Sequence, residues 1–125
     1  MNTATAMIAC LVAISASAAL SDIKLPAIIG DNMVLQQQMA VPIWGTAEPG
    51  ERITVSTAGQ SASTTASEDG RWGVKLKPMP AGGPFEMTIS GKNTITLKNV
   101  MVGEVWVCSG QSNMQWALKD AANGK

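Results

Sequence analysis

Histidine is absent from the 125 residues, charged residues make up only 14% of them, and no run of basic residues occurs. A serine hydrolase of the usual kind needs an imidazole to accept the proton of the nucleophilic hydroxyl. The chain therefore holds at most part of such a site. The formal net charge is zero, and without a basic run to track phosphates we expect no nucleic-acid partner. Hydrophobic residues reach 46%, which indicates a folded protein rather than a disordered one.

The N-terminal stretch predicts a secretory signal peptide over residues 1–19. Residues 4–19 carry no charge and are rich in Ala, Ile, Leu and Val, but they are too few for a membrane span of roughly 20 apolar residues. Small residues at Ala16-Ser17-Ala18 fit a signal-peptidase site. The alternatives are an uncleaved N-terminal anchor and a lipoprotein cleaved at Cys10. We expect a periplasmic or secreted protein without membrane contact after cleavage.

Cleavage at that point leaves Cys108 as the one cysteine of the mature chain. It is a buried and inert thiol, a reactive thiol, or one half of a pair whose partner lies outside these residues. Its place at the end of an apolar run favours the buried thiol.

Residues 20–99 predict a small antiparallel β-sandwich or jelly-roll domain, so the chain is mainly β. Gly- and Pro-containing turn signals recur at short intervals. Between them lie short segments in which polar and apolar residues alternate, as in half-buried strands. These segments are Arg52–Ser56, Trp72–Leu76, Phe85–Ser90 and Thr94–Leu97, and the polar stretch Gln60–Ser67 is predicted to be a further strand between two hairpin turns.

Two tryptophans of this region, Trp44 and Trp72, each adjoin a glycine. An exposed tryptophan in a β domain can stack on a sugar ring, whereas a buried one fills the core. Their positions in alternating strands predict that both belong to the core.

The pattern changes after Asn99, and residues 100–125 predict the first β-α unit of an α/β domain. Residues 100–108 are almost continuously apolar, which is typical of a strand buried on both faces. Ser109 and Gly110 end this strand, and a helix is predicted to begin near Asn113. A single β-α unit cannot bury both of its faces. We therefore expect that residues 100–125 are the truncated start of an α/β domain in a longer protein.

Ser112 lies in the predicted turn between that strand and that helix. Ligand sites of α/β sheets lie beyond the carboxyl ends of the strands. There the N–H groups of the first helical turn and the positive end of the helix dipole favour an oxyanion. The surrounding residues do not form the Gly-x-Ser-x-Gly elbow, because Met114 replaces the second glycine. From the residues alone, two interpretations are open. Ser112 is a nucleophile, or the segment is a plain loop in which Ser112 or Asn113 is the N-cap of the helix.

Four stretches resemble the sialate O-acetylesterase family, a branch of the SGNH (GDSL-like) hydrolases. The most specific is VMVGEVWVCSGQSNMQW, residues 100–116, which is similar to the first catalytic block of that family. LPAIIGDNMVLQQ (25–37), VPIWGTAEPGERITV (41–55) and DGRWGVKLKPMPAGGPFEMTISG (69–91) are similar to its N-terminal region.

The resemblance implies an exported esterase that removes O-acetyl groups from sialic acids or related glycans, with no metal or cofactor. Ser112 would be the nucleophile, and its own N–H would be one oxyanion donor. Gln111 replaces the aspartate of the plainer Gly-Asp-Ser form, and Gln111 and Asn113 would shape the pocket. The family's other oxyanion donors and its Asp-x-x-His pair belong to later blocks that are not among these residues.

Two alternatives stay open at this point. The first is an acetylxylan esterase or another carbohydrate acetylesterase, since the same serine block serves several sugars. The second is a non-catalytic secreted β domain that binds carbohydrate, in which Ser112 is only a cap. Under the esterase interpretation the 125 residues by themselves are predicted to be inactive.

Overall fold

A computed structural model of the chain describes residues 22–111, and within that range it contains seven β-strands and no helix. The strands are β1 (Val34–Gln36), β2 (Val41–Thr46), β3 (Arg52–Thr57), β4 (Gln60–Thr65), β5 (Arg71–Leu76), β6 (Gly82–Ser90) and β7 (Thr94–Gly103). The mainly β class predicted from the sequence is therefore confirmed. The strand predicted over residues 60–67 corresponds to β4. The signal peptide and the helix near Asn113 fall outside the described residues.

The strands form two sheets around one hydrophobic core. A five-stranded sheet has the order β1-β7-β6-β3-β4, and a two-stranded sheet pairs β2 with β5. Burial alternates along β2, β3 and β5. Successive side chains of a strand point to opposite faces, so one face of each of these strands packs against the core. The most deeply buried side chains are Ile43, Ile53, Val55, Leu76, Met87, Ile89 and Val100.

One strand pair is parallel, whereas the sequence predicts an antiparallel domain. β1 runs parallel to β7, with Val34 opposite Met101 and Gln36 opposite Gly103. The other pairings between strands are antiparallel. A parallel pair needs a long connection, and here the chain between β1 and β7 forms β2 to β6.

The strand predicted over residues 100–108 differs from the observed one. Residues 100–103 complete β7 and so belong to the same sheet as residues 94–99. Val100 and Val102 are buried, but Met101 between them is exposed. This strand is therefore buried on one face only, and an apolar composition alone does not reveal that difference. Residues 104–110 form neither strand nor helix, and the jelly-roll topology, the β-α unit and the domain limits stay predictions.

Candidate functional site

The described residues end at Gln111, immediately before the predicted nucleophile. Gln111 is exposed, and Ser112 and Asn113 lie outside the described range. The structure therefore brings none of the three together, and their roles stay predictions. It does describe how the chain leaves the β-sheet on its way to Ser112.

Three polar side chains hold the chain where β7 ends. Glu104 follows Gly103 directly, and its carboxylate accepts hydrogen bonds from the Nε2 groups of Gln36, at 3.1 Å, and Gln37. The N–H of Val105 donates to Gln36 Oε1 at 2.8 Å, and the N–H of Gln37 donates to the carbonyl oxygen of Gly103 at 2.8 Å. We call Gln36, Gln37 and Glu104 the exit clasp, because together they fix the path of the chain beyond the sheet.

The exit clasp also acts on the ionisation of its carboxylate. Hydrogen bonds from Gln37 and, to a lesser extent, Gln36 hold the pKa of the Glu104 carboxyl below its ordinary value. Glu104 therefore stays ionised at neutral pH and acts as a hydrogen-bond acceptor. Glu104 was not among the site residues predicted from the sequence. A usable signal was present, since the Gln-Gln pair and Gly-Glu-Val-Trp both lie in stretches that carry the family resemblance.

The segment that follows the exit clasp is apolar and exposed. Trp106 and Val107 are 84% and 90% exposed, and Val105 is 45% exposed. Cys108 is exposed as well, so the prediction of a buried and inert thiol is wrong for this structure. The thiol was expected at the end of a buried strand, but the strand ends five residues earlier, at Gly103.

The two tryptophans of the β domain have different environments. Trp72 is 4% exposed and belongs to the core, as predicted. Trp44 is 43% exposed, so the prediction that it fills the core is wrong. The register explains the difference, because Trp44 pairs with Gly73 and Trp72 with Gly45. Each tryptophan faces a residue without a side chain, but the two pairs lie on opposite faces of the sheet.

Two further features of the described region concern metals and membranes. No three His, Cys, Asp or Glu side chains between residues 22 and 111 are grouped so that they could hold a metal ion. In the same range there is no helix with the length and hydropathy needed to cross a membrane.

Comparison with known proteins identifies relatives of this chain. No family model matches the chain. The sialate O-acetylesterases of Homo sapiens and Pongo abelii are each 37% identical to it, and that of Mus musculus is 36% identical. Each match covers 76% of this chain and 20% of the relative.

A solved structure agrees with these matches. It is XAC1771, described as a novel carbohydrate acetylesterase from Xanthomonas citri, which matches with a TM-score of 0.76 at 37% identity. The match covers 82% of this chain and 24% of that protein. The chain thus spans about a fifth to a quarter of the length of these relatives. Over the aligned part, the chain is a homologue of the sialate O-acetylesterases, which confirms the resemblance predicted from its sequence.

Proposed function

We propose that this chain is part of an exported esterase that removes O-acetyl groups from sialic acids or related glycans, with Ser112 as its nucleophile. The observation that carries the proposal is the 37% identity to sialate O-acetylesterases over three quarters of the chain. Similarity to a carbohydrate acetylesterase of known structure supports the same class of substrate. Export rests on the predicted signal peptide.

In the proposed reaction, Ser112 Oγ attacks the carbonyl carbon of the acetyl ester while its proton passes to a base. The tetrahedral intermediate breaks its bond to the sugar oxygen, which takes up that proton and leaves as a hydroxyl. Water then attacks the acetyl-enzyme, releasing acetate and restoring the serine. The N–H of Ser112 donates one hydrogen bond to the oxyanion, a contribution worth about 10²–10³ in rate for one donor. The base lies outside these residues, because the chain has no histidine.

The β domain contributes to this reaction by positioning the segment that carries the nucleophile. Seven residues separate Glu104 from Ser112 in the sequence, and the exit clasp fixes the start of that connection. Sites built on rigid elements keep catalytic groups within the small tolerances that catalysis requires. The exit clasp therefore acts on the serine through the backbone and has no chemical step of its own.

The test is acetate release from 9-O-acetyl-N-acetylneuraminic acid by the native, full-length protein that contains this chain. Ser112→Ala is expected to lower kcat by at least about a thousandfold, because nucleophile and base act as a unit. Ser109→Ala is the matched control, since it removes the hydroxyl of an exposed serine three residues earlier in the sequence, and it is expected to leave kcat within about threefold of wild type. Equal activity in wild type and Ser112→Ala would show that another group is the nucleophile.

A second candidate substrate is an acetylated plant polysaccharide such as acetylxylan. The observation in its favour is the structural match to a bacterial protein described only as a carbohydrate acetylesterase. The two candidates are separated by kcat/KM of the same protein on acetylxylan and on O-acetylated sialic acid. We expect the sialic acid ester to be the better substrate, and a higher kcat/KM on acetylxylan would reverse the assignment.

A further inference from the structure

A cavity of about 590 Å³ lies beside the two-stranded sheet, on the segment that precedes β1. This volume is within the range of pockets that hold small molecules. The cavity is lined by Lys24, Leu25, Pro26, Trp44, Gly45, Thr46, Arg71 and Trp72. We call it the β2–β5 groove.

A row of polar side chains crosses one face of the sheet at this groove. Lys24 forms an isolated antiparallel bridge with Thr46, and Thr46 pairs with Arg71 across β2 and β5. Two backbone hydrogen bonds of 2.8 and 2.9 Å hold Lys24 against Thr46. Residues directly opposite in antiparallel pairs project from the same face. All three side chains are exposed, so an ammonium and a guanidinium flank the hydroxyl of Thr46.

An aromatic ring completes the groove. Trp44 precedes Thr46 by two residues, so both side chains project from the same face of β2. Gly73 stands opposite Trp44, and a side chain there would begin 3.8 Å from the Trp44 Cβ. Because Gly73 has no side chain, no side chain covers the Trp44 ring from the opposite position on β5. An indole of this kind offers an apolar face to a ligand.

The charges of the groove favour an anionic ligand. Asp69 lies 3.4 Å from the Arg71 Nε, but both side chains are largely exposed, so solvent weakens that pair. The Ser67 hydroxyl, the Arg71 N–H and the Arg71 charge lower the pKa of the Asp69 carboxyl, so Asp69 stays ionised. Among residues 22–111, no carboxylate lies within ion-pair distance of Lys24. Lys24, Arg71 and Asp69 together leave one net positive charge.

We infer that the β2–β5 groove is a binding site for an acidic sugar. Trp44 stacks on the C–H face of the pyranose, Lys24 and Arg71 bind its carboxylate, and Thr46 hydrogen-bonds to a ring substituent. Guanidinium and ammonium groups form the stronger, charge-assisted hydrogen bonds with carboxylates. Sialic acids and uronic acids share this chemistry. With this site the β domain binds glycans. Sugar binding at the groove can be measured without assaying the esterase reaction.

The experiment is a titration of the full 125-residue chain, labelled with ¹⁵N and followed by the indole N–H signals of its tryptophans. The ligands are the methyl glycosides of N-acetylneuraminic acid, glucuronic acid and galactose, each taken to about 20 mM, well above the Kd of a millimolar ligand. We expect the Trp44 signal to shift with at least one acidic sugar. The exposed indole of Trp106, which does not line the groove, should not shift.

Variants test the individual contacts. Binding to the variants is followed by the backbone amide signals of Thr46 and Arg71, because Trp44→Ala removes the indole signal. Trp44→Ala is expected to weaken binding about tenfold, and Lys24→Ala about threefold. Lys75→Ala is the matched control, because Lys75 is exposed on the same sheet but does not line the groove, and its affinity should equal that of wild type. Dispersed amide spectra confirm that each variant is folded.

The comparison of the three sugars shows whether the groove prefers an acidic sugar to a neutral one. Tighter binding of either acidic glycoside than of methyl galactoside supports the inference and identifies the source of the carboxylate. Equal binding of all three, a shift of Trp106 without Trp44, or no shift at the highest concentration would overturn it. None of these results depends on Ser112, so the inference fails or succeeds separately from the proposed esterase activity.

Discussion

Replacing Gly70 by alanine should destabilise the β domain more than the same change at Gly59. Both glycines have positive φ angles, +78° and +75°, which L-residues rarely adopt. They differ in their surroundings. A Cβ on Gly70 would lie 2.7 Å from the carbonyl oxygen of Ala47, whereas a Cβ on Gly59 would meet nothing within 4 Å. Ala47 cannot move away easily, because its N–H donates to the Gly70 carbonyl at 2.8 Å.

The magnitude follows from three contributions. The left-handed conformation costs alanine about 1–2 kcal/mol at either position. Loss of unfolded-state entropy offsets about 0.4–1 kcal/mol of that cost, so Gly59→Ala should lower the free energy of unfolding by about 1 kcal/mol. At Gly70 the contact with Ala47 adds an overpacking term of about 1–3 kcal/mol. We therefore expect Gly70→Ala to cost about 2–4 kcal/mol in total.

The assay is equilibrium unfolding of the full chain in urea, followed by tryptophan fluorescence, with Gly59→Ala as the matched control. Because Gly70 directly precedes β5, the same variant should also weaken sugar binding in the β2–β5 groove. If the two variants unfold with free energies within about 0.5 kcal/mol of each other, the close approach of Gly70 to Ala47 does not exist in solution.

Three further predictions concern the core, the exit clasp and the activity of the chain. Ile53→Ala should cost about 2–5 kcal/mol in urea unfolding, because Ile53 is fully buried, whereas Ile28→Ala, at 74% exposure, should stay within about 0.5 kcal/mol of wild type; similar costs would place the core elsewhere. An NMR titration should give Glu104 a pKa below its ordinary 4.5, and Gln37→Ala should raise it. Because the pKa of Glu104 is lower in the folded state, its hydrogen-bonded carboxylate stabilises the fold above the unfolded pKa, and this stabilisation is lost as pH falls through the folded pKa. An unchanged pKa of Glu104 in Gln37→Ala contradicts the hydrogen bond. The purified 125-residue chain should hydrolyse no O-acetylated sialic acid above background, since it has no histidine; turnover abolished by Ser112→Ala would contradict this.

The strands of the β domain were predictable because their signal is local. Arg52–Ser56 and Trp72–Leu76 alternate polar and apolar residues, and they correspond to β3 and β5. A strand with one wet and one buried face needs this alternation. Turn residues between the strands then limit where each can begin and end.

Pairing over long distances was not predictable in the same way. β1 contains three residues and pairs in parallel with a strand 67 residues later. No local pattern distinguishes that partner from the other strands. The burial of residues 100–103 was also misjudged, because an apolar run is compatible with one buried face or two, and only the neighbouring layers decide between them.

The candidate site shows a similar division. Ser112 is predicted from a specific local motif, and its role stays a prediction, although the relatives found by comparison support the family from which that role is inferred. The exit clasp depends on Gln36 and Glu104, which are 68 residues apart in the sequence. The exposure of Trp44 depends on which face of β2 meets the core. These features follow from register and layer packing, which the sequence alone does not specify.

Covalent labelling of the native protein shows whether Ser112 is the nucleophile of an esterase. A fluorophosphonate reacts with an activated serine and loses fluoride. Trypsin then releases a peptide spanning residues 99–119, which contains Ser109 and Ser112. We predict that tandem mass spectrometry finds the phosphonyl group on Ser112 and not on Ser109, and that an O-acetylated sialic acid slows the labelling. An unlabelled peptide, under conditions in which a known serine esterase is fully labelled, would show that Ser112 is not an activated nucleophile.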